Sequence, residues 1–160
     1  MSKLLLFINK YKYQVVWSVL TLALGGLGAL ISGNYDVYEE VAKPPLAPPN
    51  WLFPIAWTIL YILIGISAGN IAASRDLDKG KAIRLYLIQL IVNIFWPVIF
   101  FIFEAPKLAL VWLVLLIVLV ILTIIVFKTI DKKSAWLLLP YLAWCIFAFY
   151  LNLGIIALNS

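Results

Sequence analysis

An all-α integral membrane protein is what this sequence predicts: a five-transmembrane-helix bundle with its N-terminus cytoplasmic, its C-terminus outside, and one domain spanning residues 1–160. Three observations carry that expectation. First, 66% of the 160 residues are apolar and only 12% are charged, about half the charged share of a soluble domain. Second, five apolar runs at about 13–31, 51–73, 82–103, 108–127 and 135–158 are long enough to cross a hydrocarbon core. They are continuous rather than alternating, so they satisfy their backbones as helices and not as barrel strands. Third, ten of the twelve basic residues fall on one side of the resulting topology, which leaves only Lys43 and Lys107 on the other. That bias places the basic side in the cytoplasm.

The first run follows Lys3, Lys10 and Lys12, as a signal peptide would, but it is too long for a signal core and no Ala-x-Ala site follows. A retained first helix is expected. Projected at 100° per residue, its Ser18, Thr21, Gly25, Gly28, Ala29 and Ser32 share one stripe. The outer loop 32–50 is the longest connection and carries Pro44, Pro45, Pro48 and Pro49, which stiffen it into a cap. In the second run Trp51, Pro54, Thr58, Tyr61 and Gly65 share a face, and Pro54 is tolerated in a first turn that needs no N–H. An inner turn at 74–81 leads to the third run, with its stripe of Tyr86, Gln89, Asn93, Trp96 and Phe100. The tight outer turn at 104–106 leads to a fourth run of Leu, Ile and Val, polar inside only at Thr123, which reads as a wall. The fifth run carries Tyr141, Trp144, Ala148, Leu151 and Asn152 on one face.

At 1.5 Å rise per residue, Thr58 and Tyr61 lie roughly 10–15 Å below the outer surface and Asn93 lies near the midplane. The stripes therefore converge between the outer surface and the midplane, under the proline-rich loop, and the site is expected there. Trp57, Trp96 and Trp144 are too deep for an interfacial belt, whereas a belt accounts for Trp17, Trp112, Trp136, Tyr11, Tyr13 and Tyr38. Gln89, Asn93 and Asn152 are amides at membrane depth, where interhelical hydrogen bonds explain most such residues and ligand contact is the alternative. The spacings Gly25 to Ala29, Gly28 to Ser32 and Gly65 to Gly69 permit either close helix packing or homodimerisation.

Absences narrow the function. There is no histidine, and the single cysteine, Cys145, forms no intrachain disulfide. Arg84, at the inner margin of the third run, is the only Asp, Glu, Lys or Arg within the five runs. Ion-coupled transporters and proton relays place such groups deeper. No phosphate-binding glycine loop, serine–base pair or metal cluster is present, and no cofactor is required. The net charge of +5 is accounted for by anionic lipid headgroups without a nucleic-acid partner.

Three blocks resemble the TspO family of tryptophan-rich sensory proteins, translocator proteins and mitochondrial benzodiazepine receptors. They are Lys43-Pro44 through Pro48-Pro49-x-Trp51 to Trp57-x-x-x-Tyr61, then Gln89-Leu90-x-x-Asn93-x-x-Trp96-Pro97-x-x-Phe100-Phe101, then Pro140-Tyr141-x-x-Trp144-x-x-x-Ala148-x-x-Leu151-Asn152. The resemblance implies a five-helix bundle, commonly dimeric, in the plasma membrane, which binds porphyrins such as protoporphyrin IX and benzodiazepine-site ligands. Carried over by position, its pocket includes Trp51, Asn93, Trp96, Trp144, Ala148 and Leu151, to which the helical projection adds Thr58 and Tyr61. Many relatives have Trp where this chain has Leu46. The sterol motif of animal members needs a Tyr and a basic residue after Asn152, where this chain has Leu153 and no later Lys or Arg.

A membrane receptor for a tetrapyrrole or another flat apolar ligand is the leading expectation. Photo-oxidative porphyrin breakdown, with Trp51 and Trp144 as the redox-active side chains, is the enzymatic extension. Transport of tetrapyrroles or similar apolar molecules across the membrane is the alternative.

Overall fold

The computed structural model describes residues 3–33 and 36–160; the remaining positions of the expected 1–160 domain, Met1, Ser2, Asn34 and Tyr35, lie outside the described residues. The elements in order are α1 (Lys3–Ser32), α2 (Asp36–Glu40), α3 (Leu52–Ala73), α4 (Lys79–Pro97) continued by a π-helical turn (Val98–Ile102), α5 (Pro106–Ile130), α6 (Lys132–Leu137) and α7 (Leu139–Asn159). Among the described residues, five stretches are long and apolar enough to cross a membrane: Asn9–Ser32, Leu52–Ala73, Lys79–Ile102, Pro106–Ile130 and Lys132–Asn159.

The helices extend past the expected limits at most ends, and three local features were not anticipated. α1 begins ten residues before the expected start and kinks at Tyr11, where the backbone leaves helical values (φ −112°, ψ 22°). The fifth span is broken at Leu138, two residues before Pro140, whose ring cannot continue an unbroken helical ladder. Asp131 starts that span by accepting hydrogen bonds from Lys133 N and Ser134 N. Burial alone would raise its carboxyl pKa, but the Ser134 hydroxyl, the two backbone N–H groups and the Lys133 charge hold it below the usual value. Pro97 brings about the third feature. Lacking an N–H, it ends the α ladder of α4, and the chain widens so that Phe103 N donates to Val98 O at 3.1 Å.

α1 and α3 approach most closely. A Cβ built on Gly65 would lie 2.7 Å from Ser18 N, and one on Gly69 would lie 2.7 Å from Gln14 N. Both meet backbone, which cannot swing aside, so these two glycines are what lets the helices touch. Gln14 Nε2 then donates to Asn70 Oδ1 at 2.8 Å across the same seam. Gly65 and Gly69 thus face α1 of the same chain. Gly28 similarly faces Ile94 of α4, and Gly25 makes room for the Tyr61 ring.

The buried core runs through α3, α4, α5 and α7, with Ile64, Tyr86, Leu116, Phe127 and Tyr141 among its fully enclosed side chains. Its polar groups are tied across helices: the Tyr61 hydroxyl donates to Asn93 Oδ1 and the Tyr141 hydroxyl to Gln89 Oε1, both at 2.8 Å, while Thr21 pairs with the Tyr86 hydroxyl. Trp112 also makes a tie between helices. Its indole N–H donates to Val92 O at 2.7 Å, which clips α5 to α4. Trp17 is half-buried edge-on against Tyr86, with centroids 5.6 Å apart.

The proline-rich loop between α2 and α3 is fastened at several points. The Tyr38 hydroxyl donates to Pro48 O (3.0 Å) and the Tyr150 hydroxyl to Pro45 O (2.7 Å). Asn159 accepts from Ala42 N and donates to Ala42 O. Pro44 packs on Gly154, where an added Cβ would lie 2.5 Å from the Pro44 Cβ. Leu46 occupies the left-handed region (φ 67°) at an exposed tip, a conformation that costs a branched side chain more than glycine.

Candidate functional site

Beneath that loop lies a cavity of about 540 Å³, within the range of small-molecule sites. α1 supplies its small and aliphatic side, with Leu22, Gly25, Gly26, Ala29 and Leu30, followed by Gly33. α3 supplies Phe53, Pro54, Trp57, Thr58 and Tyr61. From α4 and its π-turn come Asn93, Trp96, Pro97, Phe100 and Phe101. α7 adds Ala148, Leu151, Asn152 and Ile155, and Tyr38 of α2 closes the loop side. α5 contributes none of these residues.

Local structure explains how the aromatics arrive there. Phe100 and Phe101, both in the widened turn after Pro97, reach the cavity. Trp96 stacks on Phe100 with centroids 5.3 Å apart, and Trp57 stacks on Tyr61 at 5.2 Å. Tyr38 meets Phe53 edge-on at 5.2 Å. Expected at the interface, Tyr38 is instead buried, which raises its phenol pKa.

Of the expected site residues, Thr58, Tyr61, Asn93, Trp96, Ala148 and Leu151 come together in the lining. Their polar atoms differ in availability. The Thr58 hydroxyl turns back to donate to Pro54 O (2.7 Å), and Asn93 Oδ1 already accepts from Tyr61. Trp51 and Trp144 lie outside the lining. Trp51 precedes the first helical residue of α3 and is 65% exposed, and Phe53 takes the cavity position two residues on. Trp144 shares the face of Ala148 but lies one turn deeper. There the Trp57 ring, edge-on to it at 6.5 Å, stands on the cavity side.

The helical projection underrated Trp57 and Asn152. The depth of Trp57 was a signal for it. Asn152 is 1% exposed, and neither Oδ1 nor Nδ2 has a hydrogen-bond partner among the described residues. The Trp96 indole N–H is likewise unpartnered. No Asp, Glu, Lys or Arg lines the cavity, and no cluster of metal-ligating side chains occurs among the described residues. The cavity is therefore suited to holding a neutral, flat, largely apolar body against aromatic rings. Lys43 Nζ sits 4.7 Å from the Tyr38 ring centroid and is the cation beside the loop-side wall.

Residues 15–158 match the family model described as the TspO/MBR family. The chain is similar to tryptophan-rich protein TspO of Chlorobaculum tepidum, with 38% identity over 144 residues, covering 88% of this chain and 91% of that protein. Tryptophan-rich protein TspO of Archaeoglobus fulgidus is 38% identical over 150 residues, covering 92% and 97%. The translocator protein of Bos taurus is 34% identical over 138 residues, covering 81% and 82%.

Proposed function

The chain belongs to the TspO/MBR family and is a multi-pass membrane protein; on that basis we propose that it is a plasma-membrane receptor. It binds tetrapyrroles such as protoporphyrin IX, and benzodiazepine-site type ligands, in the aromatic cavity under the outer loop. The observation that carries this reading is the cavity itself, large, roofed and free of Asp, Glu, Lys and Arg. A macrocycle lies against Trp57, Trp96 and Phe100, while its carboxylates stay at the loop side near Lys43, because burying them unpaired would be costly.

Protoporphyrin IX and its dimethyl ester separate the two halves of that statement. Both are expected to quench tryptophan emission of the detergent-solubilised protein saturably. Lys43→Gln is expected to weaken the diacid by about two- to fivefold and leave the ester unchanged, as for an exposed charge contact. Non-saturable quenching would reject the receptor reading. Equal shifts for diacid and ester would reject the role of Lys43.

Orientation is part of the same reading. Lys3, Lys10, Lys12, Arg75, Lys79, Lys81, Arg84, Lys128, Lys132 and Lys133 are expected on the cytoplasmic side, with Ser160 outside. With Cys145 replaced, a membrane-impermeant thiol reagent added to whole cells is expected to label Ser160→Cys and spare Ser2→Cys. The reverse pattern would overturn the orientation. A homodimer also belongs to this reading, with the aliphatic face of α5 at Val111, Val114, Val118 and Leu122 as the face it would cover. Crosslinking through that face in membranes tests it.

Light-dependent porphyrin breakdown is favoured as a second activity by the ring contacts of Trp57 with Tyr61, Tyr141 and Trp144. A bound porphyrin, light and dioxygen would supply the chemistry. The chain's part is a wall tryptophan able to give up an electron, with further aromatic rings behind it. Aerobic illumination at saturating porphyrin must yield a discrete product faster than the protein-free control for this activity to stand. Transport of the same ligands is the alternative, and it is separated by flux into protein-containing vesicles.

A further inference from the structure

A line of aromatic rings runs from the cavity wall to the protein surface beside the proline-rich loop. Trp57 lines the cavity and meets Trp144 edge-on, with centroids 6.5 Å apart. Trp144 meets Phe147 at 5.6 Å, and Phe147 stacks on Tyr150 at 6.2 Å. Tyr150 is 39% exposed, and its hydroxyl donates to Pro45 O. Ring packing alone accounts for contacts of this kind. What sets this line apart is where it ends. Trp57 also touches Tyr61 and Tyr141, but both phenols are buried and donate to the amide oxygens of Asn93 and Gln89. The branch from Trp144 through Phe53 stops at Tyr38, which is buried as well. A carbonyl oxygen accepts a hydrogen bond without taking up the proton, so a buried phenol that lost an electron would hold a charge in apolar surroundings. Among the described ring contacts, Tyr150 is the phenol on this network that opens to water.

We propose that Tyr150 is the exit of an electron-transfer relay, Trp57 to Trp144 to Phe147 to Tyr150, that carries oxidising equivalents from a photoexcited porphyrin in the cavity to the protein surface. The photoexcited porphyrin takes one electron from Trp57. Trp144 refills Trp57, and Tyr150 refills Trp144 across the Phe147 ring, which is a bridge and is not itself oxidised. Tyr150 gives its phenolic proton to water as it gives up the electron. Dioxygen takes the extra electron from the porphyrin and becomes superoxide. In sum, Tyr150 and dioxygen yield a tyrosyl radical, a proton and superoxide, with the porphyrin regenerated. This rests on the cavity being the porphyrin site and requires no breakdown of the porphyrin.

The test illuminates the full-length protein in detergent, in air, at saturating protoporphyrin IX. The nitroso trap 2-methyl-2-nitrosopropane captures protein radicals, and peptide mass spectrometry places the adducts. Tyr11 and Tyr13 are exposed to a similar degree, at 36% and 44%, and no described ring contact joins them to the cavity. They therefore report any oxidant that diffuses through solution. In wild type the adduct is expected to concentrate on Tyr150, with little on Tyr11 or Tyr13. In Trp144→Phe, which keeps a ring in place, the yield at Tyr150 is expected to fall about tenfold or more, because phenylalanine gives up an electron far less readily and the added barrier enters the rate exponentially. Phe147→Leu breaks the line at a second point and is expected to lower the same yield. Equal marking of Tyr11, Tyr13 and Tyr150 in wild type overturns the relay without recourse to any variant, as does the absence of an adduct at Tyr150. A yield at Tyr150 undiminished in both variants at equal occupancy overturns it too. Occupancy is read on the same samples as saturable quenching of tryptophan emission. If quenching is saturable in any of these cases, the receptor reading stands and only the relay falls. If wild type shows no saturable quenching, both fail.

Discussion

Gly65→Leu is expected to destroy the bundle while its spans remain apolar enough to insert. At Gly65 an added Cβ would lie 2.7 Å from Ser18 N and 2.9 Å from Ser18 Oγ. The first of these contacts is backbone within a helix, so relief requires α1 and α3 to separate. Separation breaks the Gln14–Asn70 hydrogen bond and the Ser18 hydroxyl contact with Ile62 O (3.3 Å), and it moves the α1 wall of the cavity away from α3. Overpacking against backbone costs about 3 kcal/mol or more, a large fraction of a typical total stability. Gly80→Ala is the control, because a Cβ there meets nothing within 4 Å. Thermal unfolding and size-exclusion profiles in detergent are expected to match wild type for Gly80→Ala. For Gly65→Leu they should show aggregation or a strongly lowered Tm. A monodisperse Gly65→Leu protein with wild-type Tm would mean that the α1–α3 seam is not close-packed.

Much of the architecture was legible because membrane helices announce themselves by length and charge. The five runs, the loop between the first two, and the convergence of Thr58, Tyr61, Asn93, Trp96, Ala148 and Leu151 all follow from periodicity and depth. What stayed hidden depends on departures from a regular helix. Trp51 was projected as though α3 began with it, but the helix begins at Leu52 and Phe53 takes its place in the wall. Trp144 has the expected azimuth, yet the floor is set by how far the Trp57 ring extends, which spacing along α7 does not reveal. Phe101 lies in a π-turn, whereas a 100° projection assumes α geometry throughout. Tyr38 looked interfacial because a loop tyrosine gives no sign of the Pro48 carbonyl waiting for its hydroxyl. The ambiguity of the small-residue spacings was real at the sequence level, since helix packing and dimerisation demand the same residues. Gly65 and Gly69 meet α1 of their own chain.

That a flat ligand occupies the cavity under the proline-rich loop is tested most directly by narrowing the cavity from a position whose Cβ meets no neighbour. Gly26 lines the cavity, and a Cβ added there meets nothing within 4 Å. A side chain at this position therefore starts into open space, and Gly26→Phe is expected to narrow the cavity, in contrast to Gly25, where the Tyr61 ring is in the way of the Cβ itself. The Tm of Gly26→Phe is expected to equal or exceed that of wild type. Its affinity for protoporphyrin IX should fall about a hundredfold or more, because a macrocycle and a phenyl ring cannot share the space without strain. The measurement is a protoporphyrin IX titration of wild type and Gly26→Phe side by side in detergent, with Tm recorded on the same samples. Saturable binding by wild type, lost in a variant of undiminished Tm, is the predicted result. Undiminished affinity in Gly26→Phe would place the porphyrin elsewhere on the protein and contradict the account.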